Sequence, residues 1–397
     1  MLFRSHSLIE RTKSLFDRDI QSHDTELTET VRNARILVLG GAGSIGQAVV
    51  KELFARNPRA LHVVDLSENG LVELVRDVRS SLGYIEGDFR TFAVDYGQPE
   101  FDALAAAHGP YDYVANLAAL KHVRSERDPY TLMRLTRVNV LNTVHSLDVV
   151  LNTGVKKYFA VSSDKAANPF NMMGASKRIM EMFLASHQNQ MPVSTARFAN
   201  VAFSNGSLLD GFRYRLRKRQ PLAAPSDVKR YFVTEEEAGK LCLLSIVLGD
   251  DRDIFFPKAP EELHLVSFAD IAKRFLESNG YEPYLCSTEE EAREYLDRSP
   301  GTSCWPLFTF ISDTTGEKPF EEFYTNVEDV DWDRFSEVGV VRNELDVDPM
   351  LLERFVERVQ DLLSSGSWTK TDLLDAYGTL LPDFAHEEKG RSLDERM

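Results

Sequence analysis

Val38-Leu39-Gly40-Gly41-Ala42-Gly43-Ser44-Ile45-Gly46 follows directly on the β-type run 36–39, and a helical pattern opens at Ser44. The stretch reads as Gly41-x-Gly43-x-x-Gly46 and equally as Gly40-x-x-Gly43-x-x-Gly46. A chain that reverses this tightly needs glycine, and a pyrophosphate must approach backbone N–H groups with no side chain between. Such spacing alone is weak, because any tight turn can carry it. The strand before it, the helix after it and an acidic residue at the end of the next strand together make it a dinucleotide-binding turn. That acidic residue is Asp65, which closes the run 61–65. Its carboxylate would accept hydrogen bonds from ribose hydroxyls and repel a 2′-phosphate. No Arg or Lys follows in 66–69, so NAD is expected rather than NADP. Ser67 is the better candidate to cap the next helix. Gly40, Gly43, Ser44, Ile45, Gly46 and Asp65 are therefore candidate cofactor contacts. Asp95, at the end of the third β-type run, is a candidate for the adenine edge.

Outward from this turn, β-type runs recur at 36–39, 61–65, 91–95, 113–117 and 158–162. Helical patterns fill 44–56, 68–81, 99–108 and 130–152 between them, and a helix over 172–189 leads to a further run at 193–198. Strands alternating with helices predict an α/β fold, a Rossmann-type doubly wound parallel sheet over residues 35–200. Residues 1–34 form an N-terminal arm, partly helical, in which Leu8, Ile9, Leu15 and Phe16 can dock on the body. After residue 200 the alternation weakens, and loops rich in proline and charge at 217–231 and 258–263 suit a smaller C-terminal substrate-binding lobe over 201–385. Leu351, Leu352, Phe355, Val356, Val359, Leu362 and Leu363 recur at helical spacing, as a helix packed on the body requires. Residues 386–397 are a polar tail.

The 397 residues carry 46 Lys+Arg against 62 Asp+Glu, a net charge of -16. That balance argues against a nucleic-acid partner, which needs a cationic surface, while leaving room for a local basic pocket. The basic run Arg213, Arg215, Arg217, Lys218 and Arg219 reads as a solvated helix face. Three cysteines without close metal-ligand spacing argue against a disulfide framework and a zinc site, and no metal is expected. The longest strongly apolar run without a charge, 241–248, is far too short to span a bilayer, and the N-terminus lacks the apolar segment of a signal peptide. A cytoplasmic protein without membrane insertion is expected, as a homo-oligomer.

The run Ser162-Ser163-Asp164-Lys165-Ala166-Ala167-Asn168-Pro169 closes the fifth β-type run, where open α/β sheets hold their ligands. A helix then starts near Met172, and Met173 and Lys177 share one of its faces. The glycine turn, the acidic strand end, Asn116-Leu117-Ala118-Ala119 and x-x-x-Lys177 together resemble the extended short-chain dehydrogenases/reductases. That family usually carries Tyr-x-x-x-Lys, whereas this chain has Met173-Gly174-Ala175-Ser176-Lys177. A thioether transfers no proton. Ser163-Asp164-Lys165 with Met173 resembles a subgroup, the nucleotide-sugar 4,6-dehydratases acting on UDP-N-acetylglucosamine that carry Met in place of the Tyr. The likeness runs from about residue 14 to about residue 325, through 118–123, 197–201, 229–232 and 316–318. Ala199 stands where many of that family have glycine.

The resemblance implies a redox-neutral cycle: hydride leaves C4 of the sugar, the ketone acidifies C5–H, the C6 hydroxyl departs as water, and hydride returns to C6. Lys165 is then the base at C5, Asp164 the acid at C6 and Ser163 a hydrogen-bond partner of the C4 oxygen, with Lys177 on the cofactor ribose. Burial favours the neutral forms of Asp164 and Lys165, and their mutual attraction favours the ions, so the two should titrate together. The same resemblance puts Ala118 at the cofactor. Asn200 and Arg230, then Lys121, with Lys318 and Glu317 after them, are candidate substrate contacts. Arginine suits a diphosphate because it stays charged and bonds through two parallel donors. Asn139 is expected to bridge backbone groups, and Met172 to pack. Two other readings share part of this pattern. One is a nucleotide-sugar 4-epimerase, which would normally keep the Tyr. The other is a non-catalytic NAD-sensing protein, which the missing Tyr favours and Asp164-Lys165 opposes.

Overall fold

The computed structural model describes residues 5–187, 190–258, 265–298, 301, 303–312, 322–384 and 386. Two helices, α1 (Ser5–Leu8) and α2 (Asp17–Arg32), make the arm. Strand and helix then alternate: β1 (Arg35–Leu39), α3 (Ser44–Phe54), β2 (Ala60–Asp65), α4 (Glu68–Ser81), β3 (Asp88–Ala93), α5 (Pro99–His108), β4 (Tyr113–Asn116), α6 (Pro129–Thr136), α7 (Asn142–Leu151), β5 (Lys157–Val161), α8 (Met172–Ser186) and β6 (Val193–Ala196). The six strands pair in parallel in the order β3-β2-β1-β4-β5-β6. Their short apolar runs are buried on both faces, every residue of β5 for instance, as helices covering both sides of a parallel sheet demand. The order reverses at β1, which lies between β2 and β4, and this opens a crevice at the carboxyl ends of β1 and β4.

The expected parallel α/β sheet is thus the observed one, with three differences. The third strand is Asp88–Ala93 rather than 91–95, because its ladder with β2 runs from Ala60–Asp88 to Asp65–Ala93; Asp95 lies two residues past the strand. The helix expected over 130–152 is divided by a π-type turn at Arg137–Leu141. There Asn139 leaves the helical pattern to bond Leu120, accepting from its N–H at 2.9 Å and donating to its carbonyl at 3.0 Å, the backbone bridge expected of it. Third, the sheet does not end at residue 200. After β7 (Asn200–Val201), α9 (Leu208–Arg217), β8 (Leu222–Pro225), β9 (Lys229–Arg230), β10 (Phe232–Val233) and α10 (Glu235–Leu248), β11 (Asp253–Pro257) pairs in parallel with β6. Beyond β12 (Val266–Ser267), α11 (Phe268–Ser278), β13 (Glu282–Cys286), α12 (Glu289–Arg298) and β14 (Cys304–Phe310), the antiparallel strands β15 (Asp329–Asp331) and β16 (Val338–Arg342) complete nine. The break at residue 200 is one of sequence pattern and not of the sheet.

The segment from Ala202 to Leu307 builds a second core around Leu209, Phe212, Leu222, Phe275 and Trp305, beneath the parallel sheet β13-β14-β8. The arm joins the two cores, with Leu8 and Ile9 in the second and Leu15, Phe16, Leu27 and Val31 in the first. Its anchor is Glu237 of α10, which meets the Arg11 guanidinium, the His6 ring at 3.1 Å and the Leu15 N–H at 2.8 Å. Burial alone would raise that carboxyl; His6 and Arg11 hold it down at about 2. At the C-terminus, α13 (Pro349–Ser365) and α14 (Lys370–Leu380) lay Phe355, Val359, Leu373 and Tyr377 on Met172, Ile179 and Phe183 of α8. Of the apolar stripe at 351–363, Leu352, Phe355, Val356, Val359, Leu362 and Leu363 pack on the body while Leu351 is exposed, and Met172 is a packing residue.

Candidate active site

At the end of β1, Gly40 takes a left-handed φ of +77° and passes so close to the chain after β4 that a Cβ would stand 2.5 Å from Ala118 N. A Cβ on Gly46 would stand 2.1 Å from Gly40 O. These glycines are what bring the turn, the start of α3 and the chain after β4 into one cradle. Gly43, exposed, is the N-cap of α3 and offers no side chain to it. The first N–H groups of a helix have no partner within it, and its dipole favours an anion there. Asp65 closes β2 beside this cradle, half-buried, and accepts from Ala42 N at 2.9 Å and Ser67 N at 2.8 Å. Ser67 itself caps α4 through Gly70 N, as expected. An uncapped helix start, a turn that closes only because Gly40 and Gly46 carry no Cβ, and an acceptor at the next strand end fit a dinucleotide. Asp95 accepts from Gly97 N of its own loop at 2.9 Å and from Asn142 Nδ2, at the start of α7, at 3.4 Å.

The second cluster lies at the end of β5. Ser163 donates to Asp164 Oδ1 at 2.8 Å and accepts from Lys165 N, capping the short 3-10 turn Asp164–Ala166. The same Oδ1 accepts Lys165 N at 2.9 Å and Lys165 Nζ at 3.1 Å. Asp164 is 5% exposed and Lys165 half-buried. Asn171 caps α8 by accepting from Gly174 N at 2.8 Å. Gly174 lets the helix press on the turn, since a Cβ there would stand 2.4 Å from Lys165 O. Met173, buried, and Lys177, one turn on, follow on α8. Lys177 Nζ donates to Val161 O at 2.9 Å, at the end of β5. Burial lowers its ammonium to about 8, against the opposing pull of Glu181. The fold therefore brings Ser163, Asp164, Lys165, Met173 and Lys177 together at one strand end.

Of the remaining candidates, Lys121 is exposed on the loop after β4 and donates to Ser204 Oγ at 3.0 Å. Asn200 is half-buried in β7, its N–H on Tyr231 O, and Arg230 is buried in β9, donating to Lys229 O at 2.8 Å. Lys318 and Glu317 lie outside the described residues. Ser44 accepts from Asn205 N at 2.9 Å and also hydrogen-bonds Glu235, a carboxyl raised by burial, so its side chain joins α3 to the loop before α9 and to the start of α10.

Two features escaped sequence reasoning. Ser44–Glu235 is one. The other is a buried charge network under the strand end: Ser162 donates to Glu181 at 2.6 Å, and Arg197 bonds Glu181 at 3.0 and 2.7 Å, Glu328 at 2.9 and 2.8 Å and Phe323 O at 2.9 Å. Arg178 bridges both carboxylates at 3.2 Å. The available signal was the placing of Glu181 and Arg197 inside otherwise apolar runs, where a charge must be paired. Among the described residues, no three His, Cys, Asp or Glu side chains are grouped to hold a metal, and no helix is long and apolar enough to cross a membrane.

Residues 36–342 match the family described as polysaccharide biosynthesis protein. A Methanocaldococcus jannaschii protein named as an uncharacterized membrane protein is 32% identical over 270 residues, 65% of this chain and 76% of its own length. A probable polysaccharide biosynthesis protein of Bacillus subtilis, EpsC, is 26% identical over 81% of this chain but only 53% of its own length, so the chain spans about half of that relative. A UDP-N-acetylglucosamine 4,6-dehydratase (inverting) of Campylobacter jejuni is 28% identical over 57% of this chain and 67% of its own. A UDP-glucose 4-epimerase of Rickettsia typhi is 29% identical over 57% and 66%. Among solved structures, Pen from Bacillus thuringiensis superposes with a TM-score of 0.63 at 20% identity, over 83% of this chain and 98% of that one. With the glycine cradle and the doubly wound sheet already in place, the match over residues 36–342 settles the lineage: the chain belongs to the polysaccharide biosynthesis protein family of extended short-chain dehydrogenases/reductases.

Proposed function

We propose that the protein is an NAD-dependent nucleotide-sugar 4,6-dehydratase acting on UDP-N-acetylglucosamine or a close hexosamine relative. The observation that carries this reading is the Asp164–Lys165 pair at 3.1 Å, at the end of β5, with a methionine at the position from which the family's usual tyrosine would act. Bound NAD would supply a reversible hydride acceptor. Asp65 would hold its ribose, Asp95 its adenine edge, and Gly40, Gly43, Ser44, Ile45, Gly46 and Ala118 its pyrophosphate; Lys177 would reach the second ribose from beneath Val161. With the pair in its neutral form, the Lys165 amine removes the C5 proton of the 4-keto sugar and returns it to C5 as hydride enters C6. Asp164 protonates the departing C6 hydroxyl, which leaves as water, and Ser163 steadies the C4 oxygen. The pair is well placed for both transfers because one short turn holds acid and base together, partly shielded from water. Residues 35–200 would carry cofactor and catalysis, and the lobe after 200 would bind the nucleotide through Arg230 and Lys318, with Lys121 and Asn200 meeting it from the first segment. A cytoplasmic homo-oligomer belongs to the same proposal.

A second reading, 4-epimerization, is favoured by the relatives of that name. It has no use for an acid at C6. Incubation with UDP-N-acetylglucosamine and weighing of the product separates the two. Loss of one water supports the dehydratase, equal mass with an altered sugar supports the epimerase, and an unchanged sugar would refute both and leave a dinucleotide-sensing protein.

A further inference from the structure

Helix α9 and the two residues after it carry Arg213, Arg215, Arg217, Lys218 and Arg219, five cations within seven residues of a chain whose net charge is -16. Some surface cations of this chain meet carboxylates, as Lys51 meets Asp77 and Arg342 meets Asp331. None of these five is within 4.0 Å of a carboxylate among the described residues. Their partners are neutral: the Arg213 guanidinium lies 4.5 Å over the Phe203 ring, Arg217 lies 5.0 Å over Tyr214, and Arg215 donates to Gln220 at 3.3 Å. All but Arg215 are exposed. Arg215 and Arg217 lie in the last turn and Lys218 at the C-cap, where the helix dipole rewards cations, while the like charges 213/217, four apart, disfavour the helix.

The loop that leads into α9 is the one bonded to the cradle, since Asn205 N donates to Ser44 Oγ at 2.9 Å and Ser204 receives Lys121 at 3.0 Å. The charge of Arg213 offsets part of the burial that raises Glu235, which bonds the same Ser44. The cations therefore run outward along a helix rooted at the glycine turn. An acidic protein repels anionic ligands at long range, and a local strip of the opposite sign focuses them instead. We infer that α9 and the cations after it form a cationic approach that draws pyrophosphate-bearing ligands, dinucleotide and nucleotide sugar alike, to the turn at Gly40–Gly46. This rests on the dinucleotide-binding reading above.

The test measures association and dissociation rates of NADH by stopped-flow fluorescence, at ionic strengths of about 20 and about 300 mM, where screening is weak and strong. The full chain is compared with Arg215→Gln/Arg217→Gln/Lys218→Gln/Arg219→Gln. In the unaltered protein, salt slows association. In the variant, association at low salt is slower by about tenfold, and salt now speeds it, because only the acidic field remains to be screened. Dissociation changes by less than about twofold. Equal association rates with the same salt dependence in both proteins would overturn the inference while leaving the dinucleotide reading intact. NADH binding to neither protein at any salt would overturn both. Binding of the unaltered protein to phosphatidylglycerol vesicles, lost in the variant whose NADH rates are unchanged, would also overturn it and make α9 a lipid-facing surface.

Discussion

Arg197→Met probes the charge network under the strand end. Arg197 is 0% exposed, and its guanidinium makes five hydrogen bonds, two to Glu181, two to Glu328 and one to Phe323 O. Methionine keeps the apolar stem and fills most of the space. It leaves two buried carboxylates to share Arg178, with Ser162 and Thr325 N as their remaining donors. Breaking a buried ion pair from one side costs about 3–5 kcal/mol. Unfolding entropy for a chain of 397 residues is about 0.8 kcal/mol/K, so the melting midpoint should fall by about 4–6 °C. Calorimetry and urea unfolding measure both. The pH dependence follows from the same contacts. Burial pushes Glu181 and Glu328 up, and Arg197, more than any other partner, brings them below the ordinary value. Their stabilisation is present above the unfolded pKa and is lost as the pH falls through the folded one. The deficit of the variant should therefore be greatest at neutral pH and shrink in acid. Because Ser162 adjoins Ser163 and Asp164, turnover should fall as well, while NADH binding at the glycine cradle persists. A loss below about 1 kcal/mol, or a deficit equal at neutral and acid pH, would refute the assignment of Arg197 as the hub.

Gly46→Ala sets a Cβ 2.1 Å from Gly40 O and should cost about 1–3 kcal/mol and abolish NAD binding in a titration. Gly43→Ala, whose Cβ would find nothing nearer than 3.5 Å, should melt close to the parent, and equal losses in the two would contradict the close-approach argument. Lys165→Ala should lower dehydration by a factor of about 10²–10⁴ with NAD affinity unchanged; a variant within a few-fold of the parent removes Lys165 from the mechanism. Lys157, whose ammonium bonds Ser245 O at 2.9 Å and Gly249 O, is lowered to about 7 by burial against the raising pull of Asp253, and Lys177 to about 8. Both lie below the ordinary 10.5, so the unfolded chain binds more protons between about pH 7 and 10.5, and stability of the ligand-free protein rises with pH through that window. Each lysine contributes a slope of up to about 1.4 kcal/mol per pH unit. Lys157→Met should flatten the curve, and an identical curve would show that Lys157 is not the group that titrates.

Local pattern determined a good deal by itself. The alternation of β-type and helical runs was enough for the parallel sheet, because strands covered on both faces must be short and continuously apolar. The glycine turn and Asp65 were legible because they are contiguous with strand ends, whose place in an open α/β sheet is known once the strands are. That Ser163, Asp164, Lys165, Met173 and Lys177 gather at one strand end was legible because a single strand–turn–helix passage carries all five, while the roles proposed for them came from the resemblance. Tertiary structure alone decided what depends on partners distant in sequence. The recruitment of β11, β15 and β16 into the main sheet follows from pairing across tens of residues, which no local periodicity encodes. Glu328 reaches Arg197 across 131 positions and Glu235 reaches Ser44 across nearly two hundred, and neither carboxylate differs by its neighbours from any solvated glutamate. Asp95, read as a strand end, lies past the strand because β3 takes its register from β2, and Arg230 proved buried because β9 pairs with β12. Sequence spacing specifies what one element presents; which charge is buried, and against what, is set by where the folded chain brings other elements to it.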